Sequence, residues 1–372
     1  KREKPFNQLC TEFGISEKTG HKWKSRFLEQ GKQGLIDQSR APKSNPTLLP
    51  QKVVIDIVQL KLAHMAWGPK KILAIYKKAH ANAPSLPSVK RIFADARLVK
   101  HRKVRRVDVS STQRLRQRIH ANAPNDVWAI DFKGWWKSNQ EICEPLTIRD
   151  LYSRFILEIR LMESKSADAV RAVLTEVFRK YGLPRVIRSD NGTPFASPNG
   201  LLALSTLSSW WITLGILPDR IEKGKPGQNG SLERMHTDIA KEIQGKFPGG
   251  RRQNQAALDM WREEYNTLRP NEAIGMRTPR EVYVRSERTY PGDFDELEYP
   301  PGFLVRKVSP KGYIKLYGVR IHVGLPVRGL TLGLQSLGES GKYHVFLADF
   351  LLGQADTEVY SFSPLLKSAE SL

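Results

Sequence analysis

The stretch that most constrains this chain is residues 125–181, where the period of the apolar residues changes. Val127–Trp136, Leu146–Leu151 and Phe155–Leu161 are short runs rich in β-branched and aromatic residues, and they read as three successive strands. Ala167–Tyr181 then sets Val170, Val173, Leu174, Val177 and Phe178 at helical spacing. Arg185–Ile187 reads as a fourth strand, Leu201–Leu214 as an uncharged amphipathic helix and Leu217–Ile221 as a short strand. Helices over Ser231–Gln244 and Gln253–Tyr265 close the region. Strands followed by alternating helices and strands predict a mixed α/β sheet covered by helices.

What precedes this region is basic. The chain has 372 residues and a net charge of +22, with 27 basic and 9 acidic side chains in residues 1–126 against 33 and 29 in residues 127–372. Such asymmetry points to a module that binds a polyanion, nucleic acid first. Phe6, Leu9, Cys10 and Phe13 form one helical face, Gly14 supplies a turn, and Ser16 caps a second helix that buries Trp23 and Phe27. Lys18, Thr19, His21, Lys22 and Arg26 are left to face DNA, the pattern of a helix-turn-helix. After a Pro-rich linker, Val54–Met65, a helix restarted at Pro69 and a third apolar face over Val89–Ala96 read as a second such module. Lys70, Lys71, Lys90 and Arg91 are its candidate DNA contacts. The run His101–Arg118 has seven basic residues and one acid, and Arg102, Lys103, Arg105 and Arg106 are placed to track phosphates.

Two cysteines, Cys10 and Cys143, exclude a disulfide framework, and no Cys/His spacing suits zinc. The uncharged stretch 191–218 is interrupted by Ser and Thr, and its apolar part is shorter than the ~20 residues of a membrane span. The expectation is a soluble, cytoplasmic protein. Beyond the acidic, Pro-rich stretch around residue 295, five short runs between Phe303 and Leu347, parted by glycines, predict a small all-β domain, a barrel or sandwich, with a loose tail over the last dozen residues. The expected organisation is therefore 1–46 and 47–105 as two all-α helix-turn-helix modules, 106–124 as a basic linker, 125–290 as an α/β catalytic core, and 291–372 as the β domain.

Three acids stand where acids are costly or locally odd. Asp131 lies inside the apolar run Val127-Trp128-Ala129-Ile130-Asp131-Phe132, Asp190 ends the fourth strand, and Glu233 sits on the first turn of a helix. Converging carboxylates on two strands and one helix are what a pair of Mg²⁺ ions about 4 Å apart needs. Each acid alone reads more readily as a turn, cap or edge residue; their order behind a basic region is what raises them. His236, three residues after Glu233, shares its helix face.

These motifs carry a resemblance. Trp128–Phe132, Ser189-Asp190-Asn191-Gly192-Thr193-Pro194-Phe195, Gly227-Gln228-Asn229-Gly230-Ser231-Leu232-Glu233-Arg234-Met235-His236 and Tyr265-Asn266-Thr267-Leu268-Arg269-Pro270-Asn271 resemble the integrase core of bacterial insertion-sequence DDE transposases, relatives of retroviral integrases. The resemblance implies an RNase H-like fold and a DNA transposase that uses Mg²⁺, or Mn²⁺, two ions per site, held by Asp131, Asp190 and Glu233. It also implies that double-stranded terminal repeats and target DNA are the partners, and that at least a dimer joins the two ends. Lys225, Asn229, Arg234 and His236 are the remaining candidate DNA contacts near the site. The gap from Asp190 to Glu233 is longer than in retroviral integrases, and no zinc module is carried over. Thr237 and Ala240 stand where some integrases have lysines. A DNA-binding regulator whose core serves as a scaffold and a nuclease of RNA–DNA hybrids are the rival readings.

Overall fold

The structure, a computed structural model, describes residues 4–37, 48–99, 119–197, 200–221, 230–292, 297–339 and 341–365. It divides into two compact units, residues 1–54 and 55–372.

In the first unit, α1 (Phe6–Glu12) is followed by a turn at Gly14, where φ is +63°, and by α2 (Glu17–Gln30). The positive φ is one that glycine adopts without steric cost. The Ser16 hydroxyl caps α2 by accepting the Thr19 N–H at 3.2 Å. The helices meet at Gly20, where an added Cβ would stand 2.5 Å from the Cys10 sulfur, so only glycine fits that crossing. Trp23 is half-buried, whereas Phe27, expected inside, is 47% exposed, because the two short helices present too little apolar surface to cover it.

The second unit begins with three helices, α3 (Gln51–Ala63, which starts in the first unit), α4 (Pro69–Ala79) and α5 (Leu86–Asp95). Pro69 opens α4 at its first turn, as its place in the sequence indicates, and the Ser85 hydroxyl caps α5.

The core sheet has five strands in the order β5-β4-β1-β6-β7. They are β1 (Val127–Phe132), β4 (Pro145–Asp150), β5 (Ile156–Leu161), β6 (Val186–Ser189) and β7 (Leu217–Arg220). β1 runs antiparallel to β4 and parallel to β6. The run expected to be one strand to Trp136 ends at Phe132, since Gly134 turns the chain at φ +88°. β2 (Trp136–Ser138) and β3 (Glu141–Cys143) form a separate hairpin. Alternation along β1 sends Trp128 and Ile130 to one face, packed by α6 (Ala167–Tyr181) and α7 (Thr206–Thr213). Val127 and Ala129 go to the other face, packed by α8 (Gly230–Glu242) and α9 (Gly250–Thr267).

The expected helix over 201–214 is broken. Leu202 and Ala203 take left-handed backbone (φ 49° and 55°), and α7 starts only after the Ser205 cap. The reason lies in the last domain. There, β8 (Leu304–Lys307), β11 (Thr331–Ser336), β12 (Lys342–Leu347), β13 (Phe350–Asp356) and β14 (Ser361–Pro364) make one antiparallel sheet in the order β14-β13-β12-β11-β8. A hairpin, β9 (Tyr313–Leu316) and β10 (Val319–His322), accompanies it. Leu204 and Ile212 are buried in this domain's apolar core, so the break turns one end of the segment into the β domain. Among the described residues the sheet is open, with β14 and β8 at its edges, and β14 lies where a loose tail was expected. No described helix is long and apolar enough to cross a membrane.

Candidate active site

Asp131 belongs to the face of β1 that carries Val127 and Ala129, the side covered by α8. Ala129 pairs with Arg188 across the parallel β1–β6 ladder. Two residues further along each strand lie Asp131 and Asp190, which therefore stand level at the carboxyl ends of neighbouring parallel strands, where open α/β sheets bind ligands. Glu233 is on the exposed first turn of α8, whose Leu232, Met235 and Ile239 are buried against the same face. Burial first, and the Asp190 carboxylate second, push the Asp131 carboxyl up to about 7, against one backbone hydrogen bond that lowers it; Glu233 adds a smaller upward push.

Among the described residues no three His, Cys, Asp or Glu side chains group tightly enough to hold a metal ion. The expected three-way convergence is thus incomplete. Three carboxylates repel, and Glu233 has room to stand off on its exposed turn.

The backbone around Asp190 is shaped for its carboxylate. Gly192 N–H donates to Asp190 Oδ1 at 3.0 Å, and a Cβ added at Gly192 would meet Oδ2 at 3.0 Å. Asn191 donates its amide to the Ile221 carbonyl at 2.7 Å, tying the motif to the end of β7.

His236 turns inward instead of toward DNA. Its Nε2 is 2.8 Å from the Thr147 hydroxyl, which in turn donates to the Asp131 carbonyl at 3.0 Å. Burial, then Lys133 and Arg149, hold the imidazole down at about 4, so it is neutral at pH 7 and donates through Nε2. Arg234 is exposed on the same turn as Glu233.

Lys18, His21 and Lys22 are exposed on α2, Lys90 and Arg91 on α5. Thr19 and Arg26 are half-buried, Thr19 within the helix cap. Of Lys70 and Lys71, expected on DNA, the first is exposed and the second is half-buried. Lys70 pairs with Glu272 at 2.7 Å. Burial, then Arg269, lower Lys71 to about 8, against Asp238 and Glu242. Helical spacing alone leaves the direction of Lys71 open, and its burial beside Arg269, Asp238 and Glu242 turns it away from solvent. Arg102, Lys103, Arg105, Arg106, Lys225 and Asn229 lie outside the described residues.

Sequence reasoning assigned no part to Arg149, which is 3% exposed on β4 and donates to the Ser231 carbonyl and the Tyr265 hydroxyl. A basic residue inside the strand run Leu146–Leu151 was the available signal.

Residues 121–226 and 214–279 each match an Integrase core domain family, and residues 1–43 match a Helix-turn-helix domain family. An uncharacterized 31.7 kDa protein of insertion element IS407 from Burkholderia multivorans is 26% identical over 246 residues, 65% of this chain and 84% of that one. An uncharacterized 39.2 kDa protein of insertion element IS476 from Xanthomonas euvesicatoria is 26% identical over 265 residues, 69% of this chain and 71% of the other. Among solved structures, the HTLV-2 integrase catalytic core domain in complex with magnesium is similar over 44% of this chain and 100% of that one, at 15% identity and a TM-score of 0.35. The chain thus carries an integrase core behind a helix-turn-helix domain. Its similarity extends to proteins of bacterial insertion elements.

Proposed function

We propose that this chain is a transposase that binds the terminal inverted repeats of its element as duplex DNA, cuts the element ends in a Mg²⁺-dependent reaction, and joins the freed 3′-OH ends to target DNA. The observation that carries the reading is the level placement of Asp131 and Asp190 on neighbouring parallel strands, on the face covered by the helix of Glu233. The donor set fits a hard divalent cation, since it is all carboxylate oxygen and two members sit on rigid strands. Asp131, Asp190 and Glu233 are the residues that would hold the Mg²⁺ or Mn²⁺ ions, two per site. When bound, such ions activate the attacking oxygen and neutralise charge on the leaving oxygen of a phosphodiester.

The protein's own groups position and insulate. Gly192 leaves space for the Asp190 carboxylate and donates to it, and the neutral His236 anchors Thr147 beneath Asp131 without adding charge. In the first step water attacks phosphorus and the P–O3′ bond breaks, leaving a 3′-OH on the element end. In the second, that hydroxyl attacks a target phosphodiester, and the target's own 3′ oxygen departs. No covalent protein intermediate is required. Lys18, His21 and Lys22 on α2, with Lys90 and Arg91 on α5, would hold the ends, and at least a dimer would join two ends in concert.

The test mixes wild type or Glu233→Gln with Mg²⁺, a target plasmid and labelled DNA from the borders of the chain's own gene. Wild type should cut and join, and Glu233→Gln should bind the ends without doing either. Normal cutting and joining by Glu233→Gln would refute the assignment.

A further inference from the structure

The run Tyr265–Asn271 has no part in the chemistry proposed for the carboxylates, yet its side chains converge on the helix that carries Glu233. Asn266 works locally: its side-chain oxygen accepts the Ile156 N–H and its amide donates to the Ile156 carbonyl, both at 2.9 Å, which seats the end of α9 on β5. Tyr265 and Arg269 reach further.

Tyr265 acts on the start of α8. Its hydroxyl accepts Arg149 Nη2 at 2.9 Å, and the other arm of that guanidinium, Nη1, donates to the Ser231 carbonyl at 2.7 Å. Arg149 is 3% exposed and its carbon lies 5.6 Å from the Tyr265 ring centre, so ring and hydroxyl together fix the fork. Arg154 adds a second hold on Ser231 by donating to its hydroxyl at 2.8 Å. Ser231 is two residues before Glu233.

Arg269 acts on the far half of α8. Nη2 meets Asp238 at 2.8 Å and Nη1 meets Glu242 at 2.9 Å, with the guanidinium 5% exposed. Those acids are one turn apart on a single helix face. Asp238 is five residues after Glu233, which rotates it about 140° from the Glu233 direction. Both grips therefore hold α8 without touching the Glu233 side chain. The guanidinium also lies 6.0 Å from the Trp67 ring, 5.9 Å from Trp261 and 5.3 Å from Tyr265, and Trp67 stands between α3 and α4.

We propose that Tyr265 and Arg269 are positioning residues for Glu233, bracing the two ends of α8 so that its first turn is held at a set depth and rotation beside Asp131 and Asp190. This rests on the carboxylate reading of the site. A rigid brace is what the chemistry requires, because a ligand misplaced by about 1 Å costs roughly 10²-fold in rate.

Tyr265→Phe keeps the ring and removes the acceptor. Arg269→Lys keeps the charge and cannot span both carboxylates, because an ammonium is a point donor where guanidinium is a fork. The two variants, wild type and Glu233→Gln are compared as full chains by three readings: thermal midpoint without cation, Mn²⁺ affinity from the electron paramagnetic resonance signal of free Mn²⁺, and cutting of labelled end DNA in Mg²⁺. Both brace variants should bind end DNA as wild type does, lose Mn²⁺ affinity severalfold, and cut roughly 10²-fold more slowly at saturating DNA. A purely structural role would lower the thermal midpoint while leaving Mn²⁺ affinity and cutting intact below it, and that result overturns the brace. So does a pair of variants that match wild type throughout while Glu233→Gln loses Mn²⁺ and cutting. If Glu233→Gln itself binds Mn²⁺ and cuts normally, the carboxylate reading fails and the brace with it. Should Arg269→Lys not fold, Tyr265→Phe, the loss of one hydroxyl, decides.

Discussion

Replacing Asp131 by Asn should stabilise the cation-free protein in a way that depends on pH. The Asp131 carboxyl is raised from 3.8 to about 7, chiefly by burial and then by Asp190. Between those two pH values the folded chain holds a proton that the unfolded chain has released. Folded protein then binds more protons than unfolded, and stability falls as pH rises, levelling off above pH 7. At ~1.4 kcal/mol per pH unit the full loss is about 4 kcal/mol, and partial solvent screening of a half-buried group reduces it to roughly 2 kcal/mol. Asn carries no such penalty. Urea unfolding followed by tryptophan fluorescence, at pH 4.5 and pH 8 in chelator, should therefore show Asp131→Asn gaining about 2 kcal/mol on wild type at the higher pH. Other titrating groups cancel in the difference. Saturating Mg²⁺ at pH 8 should then stabilise wild type by about 3 kcal/mol at a hundredfold excess over its dissociation constant, and leave the variant unmoved. Parallel pH profiles for the two proteins, or equal stabilisation of both by Mg²⁺, would show that no coupled carboxylate pair exists at this position.

Gly192→Ala should fold with near-normal stability yet cut end DNA at least tenfold more slowly, because the new methyl falls 3.0 Å from Asp190 Oδ2 and displaces that carboxylate; a wild-type rate would remove Gly192 from the site. For His236 the pH sign is opposite to that of Asp131. Its folded value of about 4 lies below the ordinary 6.5, so the unfolded chain binds the extra proton and stability drops as pH falls from 6.5 toward 4. A His236→Gln variant should lose that part of the acid sensitivity in thermal unfolding, and an unchanged acid limb would place the imidazole elsewhere.

The strands and helices that carry the site are legible because their own periodicity shows in the sequence. β1 alternates between two apolar faces, α6 repeats its valines at helical spacing, and an acid inside an apolar strand stands out against both. What was hidden depends on partners distant in sequence. The β2–β3 hairpin has three residues per strand, too few to show a period. The break at Leu202 and Ala203 carries no glycine or proline; the β domain's core and the Arg220 guanidinium, which donates to both of their carbonyls, hold it. Helical spacing names a face without naming what covers it, so it hides the burial of Lys71 and His236; Arg269, Asp238 and Glu242 surround the lysine and Thr147 holds the imidazole. The Tyr265–Asn271 motif was visible as a pattern, but its role required the position of Arg149, a buried guanidinium whose partners lie about 80 to 120 residues away.

The broken segment also alters what it means for the second and third carboxylates to be far apart in the chain. Leu204 and Ile212 are shared with the hydrophobic interior of the β domain, and an added Cβ at Gly324 would sit 3.1 Å from Leu201. The additional length is thus a socket that another domain fills. Deleting the β domain would strip two large apolar side chains of their cover beside the strand that ends at Asp190, and grafting a foreign one would require its interior to accept them. Insert and β domain share one apolar interior, so removing either exposes apolar surface of the other to water.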